Sequence, residues 1–145
     1  LPGVILPDDM EFTTDLEASI VGKDVLVLAV PSPYTRSTSA KMAEFIKEGQ
    51  KIVNVAKGIE ENSLMTLSEI IEQEIPRADV SVLSGPSHAE EVGRGLPTTI
   101  VVGSKKQDIA EYLQNLLNDA PFLAGHSTKL LRLILFLRQR SIFFI

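Results

Sequence analysis

Hydrophobic residues fall in blocks along this chain rather than at every second position. Asp24-Val25-Leu26-Val27-Leu28-Ala29-Val30 is a continuous apolar run closed by Pro31-Ser32-Pro33. A run of strand length without alternation predicts a strand buried on both faces, as in parallel sheets. Further strands are predicted over 51–55, 80–83 and 98–102, the last ended by Gly103, with 121–124 as a final edge strand. Between them, apolar residues recur at helical spacing. Residues 14–20 predict a short capped helix, and 36–48 place Met42, Phe45 and Ile46 on one face before Gly49. A helix over 63–74 has Leu64, Leu67, Ile70 and Ile71 inward and Asn62 or Ser63 as cap. A short helical stretch follows at 88–93. Residues 104–118 are amphipathic, with Ile109, Tyr112, Leu113, Leu116 and Leu117 inward. Strand and helix alternate throughout, which predicts an α/β fold with a mostly parallel sheet.

Composition narrows the class. The 145 residues suit one globular domain, with 44% hydrophobic and 23% charged residues. A net charge of −5 argues against a general nucleic-acid binder. The absence of cysteine excludes disulfides and thiolate metal sites, and neither histidine has partner spacing for a metal. Nothing near Leu1-Pro2-Gly3 has the basic flank and apolar stretch of a secretion signal. The charge is uneven: residues 1–125 carry −9, whereas 126–145 carry Lys129, Arg132, Arg138 and Arg140 and no acid. The apolar run 130–137 is far shorter than the ~20 residues of a membrane span.

Candidate chemistry collects at strand ends. In an open parallel sheet, ligands bind outside the carboxyl ends of the strands. The first run ends in Val30-Pro31-Ser32-Pro33, where proline stiffens the loop. The second leads into Lys57-Gly58, a cation followed by a flexible turn; it suits an anion, or is a solvated surface lysine. The third leads into Ser84-Gly85-Pro86-Ser87-His88-Ala89-Glu90, where Ser87 and Glu90 form a capping-box pattern. Such a helix start offers free N–H groups to phosphate or carboxylate, or binds nothing at all. Gly85 is expected to let a ligand approach the backbone. Gly93-Arg94-Gly95 lacks the third glycine of a dinucleotide fingerprint and precedes a strand, so it is taken as a loop.

Leu28-Ala29-Val30-Pro31-Ser32, Val55-Ala56-Lys57-Gly58-Ile59-Glu60, Leu83-Ser84-Gly85-Pro86-Ser87-His88-Ala89-Glu90-Glu91-Val92 and Gly95-Leu96-Pro97-Thr98-Thr99 occur in that order. Together with Leu1-Pro2-Gly3-Val4-Ile5-Leu6-Pro7, they closely resemble the NAD(P)-dependent glycerol-3-phosphate dehydrogenases. The likeness covers residues 1–125 and implies a partial Rossmann-like domain. It implies interconversion of sn-glycerol 3-phosphate and dihydroxyacetone phosphate by hydride transfer, with NAD or NADP as cofactor. By the same resemblance Lys57 contacts substrate and cofactor, and Gly85 and Ser87 line the substrate site. Pro31 and Ser32 flank the dinucleotide, and Ala89 lies against it. Lys57 would stabilise negative charge on the reacting oxygen or hold the phosphate.

The family's glycine-rich pyrophosphate loop and the domain carrying its proton-transferring lysine find no counterpart here. No catalytic residue is therefore assigned, and the chain alone is expected to lack dehydrogenase activity. The resemblance further implies a small phosphorylated substrate, a cytoplasmic location and an enzyme able to dimerise at full length, with no nucleic-acid partner and no membrane span. Residues 126–145 match nothing in the family; they suit an out-of-frame or truncated product, or an amphipathic partner-binding helix. On the residues alone, two other functions stay open. One is a related dehydrogenase acting on another small substrate; the other is a non-catalytic anion-binding α/β module.

Overall fold

The computed structural model describes residues 3–5, 8–87, 89–118 and 122–127. Among them five strands form one sheet in sequence order: β1 (Val25–Leu28), β2 (Lys51–Asn54), β3 (Asp79–Ser84), β4 (Thr98–Ser104) and β5 (Phe122–Ser127). β1 pairs with β2 and β4 with β5, both parallel, as the alternation of strand and helix predicts. The chain divides into two compact units, Glu11–Ser81 and Leu1–Met10 with Val82–Ile145, so the division falls within β3.

The Glu11–Ser81 unit holds α1 (Leu16–Ile20), α2 (Thr35–Met42) and α3 (Leu67–Glu74). Its core joins Ile20, Leu26, Leu28, Met42, Ile46, Ile52, Ile71, Ile75 and Val80. Asp15 caps α1 by accepting from the Ala18 N–H at 3.2 Å. The helix expected over 36–48 stops sooner. α2 ends at Met42 and tightens into a 3₁₀ turn, Ala43–Phe45. Arg77 donates to the carbonyls of Ala43 and Ile46, satisfying the acceptors that a longer helix would have used.

The helix expected over 63–74 starts four residues late. Thr66 caps α3 in a full capping box: its hydroxyl accepts from the Glu69 N–H while the Glu69 carboxylate accepts from the Thr66 N–H at 2.8 Å. Leu64 is therefore outside the helix, at φ +58° and 71% exposed, rather than inward. Thr66→Ala should lower stability by about 1 kcal/mol, read as a shifted urea midpoint. β1 is also shorter than its apolar run, and Val27 is 61% exposed among the described residues, against the expectation of burial on both faces.

The other unit holds α4 (Ala89–Gly93) and α5 (Gln107–Leu117). α5 packs on β4 and β5 through Ile109, Ala110 and Leu113, which are buried with Ile100, Val102 and Ala124. Tyr112 and Leu116, expected inward, are exposed, so the buried stripe is narrower than the sequence pattern. Gly103 continues β4 instead of ending it, since the ladder to β5 runs on to Gly103↔Ser127. β5 extends past the short run expected at 121–124 and across the composition break at 125/126. Gln114 on α5 donates to the Ala124 carbonyl at 2.6 Å, and its amide oxygen meets the His126 ring, fastening β5 to the helix. Gly93 closes α4, and Arg94 and Gly95 form the turn that follows, where the Gly95 N–H donates to the Val92 carbonyl. The 128–145 tail lies outside the described residues.

Candidate functional site

In the Glu11–Ser81 unit, β1 and β2 run in parallel, so their carboxyl ends emerge side by side. Past those ends, Val55 N–H still donates to the Leu28 carbonyl at 3.1 Å. Pro31 then leads into a 3₁₀ turn, Ser32–Tyr34, that delivers α2. On the other side buried Asn54 folds back on Ala56. Its amide donates to the Ala56 carbonyl at 3.1 Å and its oxygen accepts from the Ala56 N–H at 3.3 Å. Both backbone groups immediately before Lys57 are thus fixed by one side chain.

Lys57 is exposed, and Gly58 turns the chain at φ +122°, a conformation closed to most residues with a side chain. A Cβ built on Gly58 would lie 3.3 Å from both Cβ and Oγ of Ser32. The structure therefore brings three of the expected residues near one another: the Pro31–Ser32 loop lies beside the Lys57–Gly58 turn, with little room for a side chain at position 58. A half-buried hydroxyl and a cation sit at neighbouring strand ends, a donor set suited to an anionic or polar ligand.

Downstream of Gly58, an isolated antiparallel bridge joins Ile59 to Thr66. Glu60 lies in this loop and takes both forks of Arg36: Nε donates to Oε1 and Nη2 to Oε2, each at 2.7 Å. Arg36 Nη1 also reaches Glu74 at 2.6 Å and Gln73 at 2.8 Å on α3. Arg36 foremost, then Ser63, pulls the Glu60 carboxyl down to about 2, while Glu60 and Glu74 raise the guanidinium further above its already high value. Because the folded carboxyl titrates below its ordinary 4.5, its stabilisation is full above that pH and lost as pH falls toward about 2. Glu60→Gln should flatten the acid limb of the stability curve across that window, measured by urea midpoints at stepped pH. Asn54, Arg36 and Glu60 were missed as parts of this arrangement. Only Asn54 left a local signal, an amide at a strand's end before a small residue.

The remaining expected residues belong to the other unit. Gly85, Pro86 and Ser87 form the turn between β3 and α4, and Ala89 begins α4. Gly85 is buried, and a Cβ there would lie 2.5 Å from the Thr99 carbonyl oxygen and 3.1 Å from Ile100 Cα. The space its missing side chain leaves is taken by β4, so the sheet itself requires a glycine at this position. Ser87 is half-buried. The capping box between Ser87 and Glu90 depends on His88, which lies outside the described residues. α4 spans only five residues, so its dipole is a weak attraction for an anion.

A mostly parallel sheet wrapped by helices, with polar groups and a lysine at the carboxyl strand ends, defines a Rossmann-like α/β domain. The model of the NAD-dependent glycerol-3-phosphate dehydrogenase N-terminus matches residues 1–110, and the chain belongs to that family. It is 63% identical over 122 residues to glycerol-3-phosphate dehydrogenase [NAD(P)+] of Agathobacter rectalis, covering 84% of this chain and 36% of that protein. It is 49% identical over 124 residues to the protein of the same name from Fusobacterium nucleatum, covering 84% and 37%. The crystal structure of glycerol-3-phosphate dehydrogenase from Coxiella burnetii superposes with TM-score 0.81 at 27% identity, over 88% of this chain and 39% of that one. The chain thus spans a little over a third of the curated relatives it matches. Among the described residues no helix is long and apolar enough to cross a membrane, and no cluster of acids and histidines could hold a metal.

Proposed function

We propose that this chain supplies part of the NAD(P)-binding domain of an enzyme that interconverts sn-glycerol 3-phosphate and dihydroxyacetone phosphate. The observation that carries the proposal is the placement of the Pro31–Ser32 loop beside the Lys57–Gly58 turn, in a chain of this family. These residues fit a cofactor with polar and anionic groups: Ser32 offers a hydroxyl and Lys57 an ammonium at the sheet edge where such ligands bind. NAD(P), when bound, supplies the hydride acceptor or donor. The chain's own residues orient and neutralise. Lys57 meets the substrate and the cofactor, and holds the phosphate or the oxygen on which charge develops. Pro31 and Ser32 flank the dinucleotide, and Ala89 lies against it. Gly85 and Ser87 line the substrate side of the turn after β3.

The proposed organisation is a partial cofactor domain over 1–125, whose last strand runs on to Ser127, within a chain whose composition turns apolar and basic over 126–145. The proposed setting is the cytoplasm, with a small phosphorylated substrate and a homodimer for the whole enzyme. The test is a chimera: the Agathobacter rectalis relative carrying the matching 122 residues of this chain in place of its own. Oxidation of NADH or NADPH that depends on dihydroxyacetone phosphate is the expected result. Turnover of other small keto acids, with none of dihydroxyacetone phosphate, would favour a related dehydrogenase instead.

A further inference from the structure

Arg36 stands four residues beyond Ser32 and two beyond the turn that delivers α2. An arginine so close to a strand's carboxyl end invites assignment as an anion-binding residue. The geometry argues otherwise. A guanidinium has five N–H donors. Nε and one Nη2 donor serve Glu60, both Nη1 donors serve Glu74 and Gln73, and the second Nη2 donor faces Met65 Sδ at 3.9 Å. Two carboxylates meet one cation, so the group carries no surplus positive charge and no spare N–H for a phosphate.

What Arg36 holds is the segment that carries Lys57. Upstream, residue 56 is pinned by Asn54. Downstream, Glu60 is fixed by the Arg36 fork, by the Ser63 hydroxyl, and by its own N–H donating to the Met65 carbonyl at 2.9 Å. Residues 57–59 span the gap between these two anchors. Arg36 is rooted in α2, which follows directly from the Pro31–Ser32 loop, so one side chain ties the loop's own helix to the far end of the lysine turn. Gly58 lies beside Ser32, so near that an added Cβ would come within 3.3 Å of the serine side chain. Exposed ion pairs are individually weak, but a bidentate fork within a network of several partners is the arrangement that does hold geometry.

We propose that Arg36 is a positioning residue for Lys57, with Glu60 as its partner: the fork locks the Lys57–Gly58 turn against the Pro31–Ser32 loop without touching substrate. The proposal rests on the functional role given to Lys57 above. Misplacing a catalytic group by about 1 Å can cost a hundredfold in rate, and a loosened loop samples the correct position part of the time. In the chimera, Arg36→Ala should therefore lower kcat/KM about tenfold.

The decisive measurement is a double-mutant cycle in that chimera combined with amide hydrogen exchange on the 145-residue chain. If Arg36 acts through Lys57, the Arg36→Ala loss disappears in a Lys57→Ala background. Losses that multiply would overturn the proposal, because a general structural role lowers rate whatever occupies position 57. In the exchange experiment, Arg36→Ala should speed exchange in 57–66 while β1 and β2 keep their protection; unchanged exchange there, or a uniform rise, would overturn it. Arg36→Lys keeps the stem and charge but cannot fork, and should show the same local pattern in a folded chain, guarding against simple unfolding. Wild-type turnover for Lys57→Ala would refute the functional reading alone, and the exchange result would still decide whether the clamp exists.

Discussion

Lys57→Ala in the chimeric enzyme is expected to lower kcat by about 10²–10³-fold, the usual loss when one preorganised charge-stabilising donor is removed from an active site. Lys57 leaves the carboxyl end of β2 between two fixed points, the Asn54–Ala56 turn and the Glu60 fork. The backbone that carries it is thus braced on both sides, at the edge where open parallel sheets bind ligands. Preorganisation is what makes such a donor effective, because it does not reorganise as charge develops. Lys57→Arg should recover little, since a planar, delocalised guanidinium places its charge and donors differently from a compact ammonium. Steady-state rates with dihydroxyacetone phosphate and NADH check this. Rates at the parental level for Lys57→Ala would instead support a module that merely holds an anion.

Gly85→Ala is expected to destabilise the fold by about 3 kcal/mol, at the upper end of the usual cost of overpacking. The new methyl would meet the Thr99 carbonyl oxygen at 2.5 Å, a backbone atom rather than the end of a flexible side chain. β4 cannot step aside cheaply, because Thr99 and Ile100 are paired in register with Leu123 and Ala124 of β5. A loss of that size is a large part of a domain's net stability and would show as a much lower urea midpoint. The experiment also separates two reasons for the glycine. Unchanged stability with weakened substrate binding in the chimera would mean that Gly85 serves the ligand; lost stability without any ligand present means that it serves the sheet.

The sequence and the structure agree most where one segment decides for itself. The apolar stretches at 24–30, 51–55, 80–83 and 98–102 became strands of one sheet, because residues that bury against a core leave a direct trace in local composition. The loops that follow the strands were legible too, so Pro31, Ser32, Lys57, Gly85 and Ser87 could be singled out from the residues there. Errors arose where two local signals competed. Leu64 has helical spacing to Leu67 and Ile71, but the Thr66–Glu69 capping box sets the start of α3 and turns Leu64 out to solvent. Tyr112 and Leu116 fit an amphipathic pattern, yet the face α5 shows to β4 and β5 is filled by Ile109, Ala110 and Leu113.

What the sequence determined by itself is the class of fold, the order of its strands and, through its ordered motifs, the family. These follow from local composition and chain order, which do not depend on distant partners. Only the tertiary structure decided what those motifs do. It set Ser32 against Gly58, filled the space beside Gly85 with β4, and joined Arg36 to Glu60 and Glu74, residues 24 and 38 positions away along the chain. The physical reason is separation. A hydrophobic run is written into consecutive residues, whereas an ion pair or a close packing contact exists only after folding has brought distant segments together.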